Sequence, residues 1–119
     1  MEIKRLTIEG SGVSSLFDLV KERLVKVGFD RCSYSKGPVS FFVLEKYYVN
    51  LKVTLLSIMV FDFSEEGKCH AEIISTEHQA DVLDDSWLWS AEKLGENPLV
   101  SFLEKLCEEK KWSIRPKAP

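Results

Sequence analysis

Cys69 and His70 are adjacent, and His78 follows eight positions on. Thiolate and imidazole are good zinc ligands, and a thiolate beside an imidazole can act as a nucleophile. The spacing opposes both roles. Neighbours in a strand point to opposite faces, and eight residues cover about 27 Å at strand rise, so these side chains do not converge. Asp81, Asp84 and Asp85 could hold a hard cation, yet the glycine and bidentate glutamate of a calcium loop are missing, and solvated acids in a turn explain them. Gly10 and Gly12 precede a helical pattern, as in an anion cradle, but no Walker lysine or third glycine follows. No metal site, cofactor or catalytic group is assigned on these patterns.

Glu45 is the acid of most interest, because it interrupts an apolar and aromatic run. Half-buried there, it would have its pKa raised by desolvation unless a cation such as Lys52 or Arg31 reached it. With Tyr47 it forms a candidate polar site, and an enzyme would use that pair or a reactive Cys69. Cys32, Cys69 and Cys107 are an odd number with no C-x-x-C spacing, so buried reduced thiols are expected rather than disulfides or a zinc knuckle. Trp87 and Trp89 could clamp a partner, or pin their own loop to a sheet.

These groups need elements to position them, and composition limits which. At 119 residues, 45% of them hydrophobic, the chain suits one domain. A net charge of -3 supplies no field for phosphate backbones or anionic lipid, so nucleic acid is disfavoured as a partner. Phe42, Lys46, Tyr48 and Lys52 at alternating positions are what a sheet surface would use if it did bind a nucleic acid. The longest apolar run, Leu55 to Phe61, is too short to span a bilayer, and no signal-peptide pattern opens the sequence; a cytoplasmic protein without a membrane partner is expected.

Residues 2 to 9 suit a strand, closed by Gly10-Ser11-Gly12. Val13, Leu16, Phe17, Val20, Leu24 and Val27 then recur at helical spacing, with Ser14 or Ser15 as cap and Gly28 as stop. Phe29 to Ser35, Val39 to Tyr48, Leu51 to Phe63 and Lys68 to Glu77 read as strands separated by turn formers. Between the second and third of these only Asn50 is a turn former, and a one-residue shift there would exchange the two faces. Residues 79 to 97 form a long irregular stretch. Asn97-Pro98 opens a second helix buried through Leu99, Phe102, Leu103 and Leu106. The domain is expected to span residues 1–112, with 113–119 a flexible tail from which Ile114 could still dock beside Trp112.

The sequence thus predicts an α+β domain of order β-α-β-β-β-β-α, a mainly antiparallel five-stranded sheet with two helices on one face. That order resembles TATA-binding-protein-like and small helix-grip domains over most of the chain. Glu45-Lys46-Tyr47-Tyr48, Val53-Thr54-Leu55-Leu56 and Leu94-Gly95-Glu96 are also similar to motifs of short uncharacterised prokaryotic proteins. The resemblance implies a fold and brings no activity with it.

Apolar side chains occur on both faces of the middle strands. Leu51, Val53, Leu55, Met59 and Phe61 suffice to meet the helices, which leaves Leu56, Ile58 and Val60 over, with Phe42 and Leu44 contributing from the preceding strand and Ile74 able to join them. A solvated sheet back should alternate polar and apolar, so this second face is expected to be covered. The cover would be the tryptophan-bearing segment or a second copy in a symmetric dimer. A small apolar ligand between sheet and helices is a further possibility consistent with such a module.

Overall fold

The computed structural model describes residues 2–26, 30–48, 52–79 and 98–117. The chain runs β1 (Glu2–Glu9), a 3-10 turn (Val13–Ser15), α1 (Leu16–Lys26), β2 (Asp30–Lys36), β3 (Val39–Tyr48), β4 (Val53–Asp62), β5 (Lys68–Gln79), α2 (Pro98–Lys110) and β6 (Ser113–Pro116). The strands form one sheet in the order β2-β3-β4-β5-β1-β6, and each neighbouring pair is antiparallel. The α+β class and, among the described residues, the two helices are as the sequence predicts.

The sheet has six strands rather than five. Residues Ser113–Pro116, expected in a flexible tail, pair with Leu6–Glu9 of β1. Trp112 makes this possible. Its indole N–H donates to the Ser11 carbonyl at 2.7 Å, and its ring lies over Gly10, where an added Cβ would come within 2.3 Å of Cδ1. A glycine is therefore required by close approach at position 10, and Ile114 then packs against the core.

Both helices cover the same face. From α1, Leu16, Val20 and Leu24 are buried at helical spacing; from α2, Leu99, Leu103, Leu106 and Cys107 are buried. They meet Leu6, Ile8, Phe42, Leu44, Met59, Phe61, Cys69, Ala71 and Ile73 of the sheet in one cluster. Phe17 stacks on Phe42 with ring centroids 4.5 Å apart, and Phe61 stands edge-on to both. Between the helices, Nη1 and Nη2 of Arg23 donate to the Glu109 carboxylate, at 2.5 and 2.6 Å. Those hydrogen bonds, reinforced by the charge of Arg23, hold the Glu109 carboxyl below its usual range. Its contribution is present at neutral pH and lost as pH falls through that lowered value.

The helix ends differ from simple capping rules. The 3-10 turn that leads into α1 has Gly12 at its N-cap in a left-handed conformation with no side-chain cap, and the Ser15 hydroxyl donates to the Gly12 carbonyl. At the end of α2, Lys111 takes a φ of 61°, its N–H donates to Glu108 and that of Trp112 donates to Cys107. This is the Schellman pattern, which glycine fits without strain. A left-handed lysine costs about 1–2 kcal/mol. Lys111→Gly is therefore expected to stabilise the fold by about 1 kcal/mol, measured by urea unfolding; a loss of stability would count against the left-handed cap.

Candidate functional site

The face of the sheet that neither described helix covers is set by register. In an antiparallel sheet, directly opposed residues share a face. Val43 opposes Ile58, Ile58 opposes Ile74, and Ile74 opposes Ile3, so one apolar row crosses four strands. Cys32 continues it on β2, opposite Val43. A parallel row joins Tyr34, Phe41 and Val60 before reaching the charged pair Glu72 and Arg5. Ile58 is 36% exposed, Leu56 39%, Ile3 39% and Tyr34 54%. Tyr34 and Phe41 touch, with ring centroids 5.5 Å apart.

Leu56, Ile58 and Val60 thus lie on the face opposite the helices, as expected, with Ile74 beside them. Phe42 and Leu44 do not. Both are fully buried under the helices, and Phe41 and Val43 hold the positions predicted for them. The cause is the connection between β3 and β4. An odd-length turn centred on Asn50 would oppose even residues to even ones; instead Tyr48 opposes Val53 across residues 49–52, so even residues of β3 oppose odd residues of β4. Lys52, at φ 52°, closes that connection. Trp87 and Trp89 lie outside the described residues, as do residues 80–97 of the segment expected to cover the face; Gln79, expected at its start, is instead the last residue of β5.

Glu45 is exposed rather than half-buried, opposite Leu56 on one side and Asp30 on the other. Arg31 opposes Leu44, one position away, and Tyr47 stands opposite Thr54. The register therefore places Glu45 at the margin of the apolar rows. Phe42, named for base stacking, is occupied by Phe17 beneath α1. The same rings, with Phe61, lie in the layer between the sheet and α1.

Cys69 and His70 point to opposite faces, as strand alternation requires. Cys69 is fully buried, and desolvation pushes its thiol up to about 12; burial likewise raises Cys107 to about 11. A neutral, enclosed thiol is a poor nucleophile. An alkylating reagent is expected to leave Cys69 and Cys107 unmodified in the folded protein and to reach them only after unfolding, whereas Cys32 is exposed in the single chain. Peptide mass mapping reads this, and modification of folded Cys69 would contradict its placement.

A polar cluster that sequence spacing does not reveal lies beyond the apolar rows, where β5, β1 and β6 meet. Thr7 Oγ1 is 3.4 Å from His70 Nδ1, and His70 Nε2 is 3.8 Å from Glu65. Glu9 lies 2.5 Å from Arg115 and 3.9 Å from Lys68. Hydroxyl, imidazole and carboxylate stand in sequence, but Thr7 is only 5% exposed and Glu65 lies at ion-pair rather than hydrogen-bond distance. The arrangement cross-links three strands and lacks an accessible nucleophile. Its members come from three separate stretches of the chain, residues 7–9, 65–70 and 115, and the strand register joins them.

Among the described residues no group of three or more potential ligands could hold a metal ion, and no helix is long and apolar enough to cross a membrane. On the open face the apolar rows are bordered by Arg5, Glu72, Glu45 and Asp62. Comparison with protein-family models and with curated proteins finds no match to this chain.

Proposed function

We propose that this protein is a self-associating interaction module whose uncovered sheet face packs against the same face of a second copy. The observation that carries this is the apolar row Val43-Ile58-Ile74-Ile3 running across the strands opposite both helices. A two-fold contact requires a face that complements itself. This one is apolar at its centre and carries both signs of charge at its border, Arg5 and Lys36 with Glu45, Asp62 and Glu72. Its size also fits. Six strands at about 4.8 Å spacing and ten residues at about 3.3 Å rise give a face on the order of 700 Å², close to the ~800 Å² per partner of a stable interface.

Size-exclusion chromatography with light scattering tests the proposal. A mass above the 13.6 kDa of one chain, falling on dilution, is expected. A concentration-independent single-chain mass would overturn it and favour cover by residues 79–97 of the same molecule.

A further inference from the structure

We infer that β2 is a second, separate seam for self-association, pairing antiparallel with β2 of another copy about a two-fold axis through Ser33. The two sheet edges are unlike. At one edge β6 has four residues and includes Pro116, which has no N–H to donate, flanked by Arg115 and Lys117. Short length, proline and charge are the usual protections of an edge. At the other edge β2 runs seven residues, Asp30–Lys36, without proline and in unbroken register with β3. Its outer backbone groups form a template for another strand.

The sequence of β2 selects a copy of itself. A two-fold axis perpendicular to the sheet keeps both open faces on the same side, so opposed residues must be both even or both odd in number. Centring on Ser33 meets that condition and pairs all seven residues. It sets Asp30 opposite Lys36 twice, once on each side of the axis, and Cys32 opposite Tyr34. Opposite charges directly across an antiparallel pair favour it, and like charges would oppose it. The joined sheets would have twelve strands, from two sets of six, and would continue the apolar rows across the axis. Two such pairs, stacked through their open faces, make a four-chain assembly of D2 symmetry.

Directed cross-linking in the full chain tests the seam. In a Cys32→Ser background, Ser33→Cys puts two thiols on residues directly opposed, with Cα atoms about 4.5–5.5 Å apart and within disulfide reach. Ser35→Cys puts them about 13 Å apart along the strands. Ser35 is the more exposed of the two residues, so random collision would favour it. Under mild oxidation the Ser33→Cys chain is expected to form a covalent dimer at least tenfold faster, judged on non-reducing gels. Equal rates, or faster coupling through position 35, would overturn the seam. The open-face contact is read independently, from the mass of Ile58→Asp: cross-linking at position 33 retained in that variant places the seam apart from the face, and cross-linking lost with it would overturn their independence.

Discussion

Ile58→Asp should abolish association through the open face while leaving the domain folded. Ile58 stands at the middle of the apolar row, between Val43 and Ile74, and lies on the side away from both helices. In a lone chain its carboxylate reaches water, because the residue is 36% exposed, and the cost is limited to local packing and strand preference, about 1 kcal/mol or less. In a face-to-face pair each copy would bury a charge without a partner, a penalty of several kcal/mol. Each 1.4 kcal/mol is about a factor of ten, so Kd should rise by roughly a thousandfold or more. Light scattering should show the mass falling by half or more, with an unchanged far-ultraviolet spectrum and a midpoint lowered by only a few degrees. Lys21→Asp, on the exposed side of α1, serves as the control and should leave the mass alone. An Ile58→Asp protein that keeps the wild-type mass would remove the open face as the contact.

The second large effect concerns the covered side. Phe42→Ala is expected to cost about 3–5 kcal/mol, the range for deleting a buried ring. Phe42 is fully buried, stacks on Phe17 at 4.5 Å and meets Phe61 edge-on at 6.1 Å, so no neighbour can collapse into the space without disturbing the cluster. For a chain of this size the thermal midpoint should fall by roughly 12–30 °C. Phe41→Ala, one residue away on the open face, should cost less than about 1 kcal/mol in the single chain, because Phe41 packs on Tyr34 outside the core. Calorimetry on both variants separates the two registers. If Phe41→Ala were the costlier, Phe41 would be the core residue and the assignment of faces would be reversed.

That reversal marks the limit of what the sequence makes legible. Period-two alternation within β4 separates Met59 and Phe61 from Leu56, Ile58 and Val60 correctly, because the strand is long and apolar on both sides. Alternation within β3 is equally clear, yet its phase relative to β4 depends on whether the connection has an odd or even number of residues. Asn50 alone among turn formers does not decide that, and so Phe42 and Leu44 are misassigned while Phe41 and Val43 are missed. The sixth strand fails for a different reason. Ser-Ile-Arg-Pro has no strand pattern of its own and is held by Trp112 docking on Gly10 and Ser11, about a hundred residues earlier. The helices were readable because Leu16, Val20 and Leu24, and Leu99, Leu103 and Leu106, repeat with a period no strand shares. The polar cluster around Thr7 and His70 was not, since it exists only through strand pairing.

The position of β1 has a consequence for how the chain reaches this structure. It is the earliest strand, but it is inserted between β5 and β6, with partners at residues 68–75 and 113–116. The β2 to β5 meander closes through short connections, whereas β1 must close a loop of some sixty residues before any of its contacts repay the lost freedom. Non-local pairing of this kind slows folding. In a chain that grows from its N-terminus, β1 is therefore expected to pair after the meander, once residues 68–75 and 113–116 are in place, and that late insertion is the expected slow step of refolding.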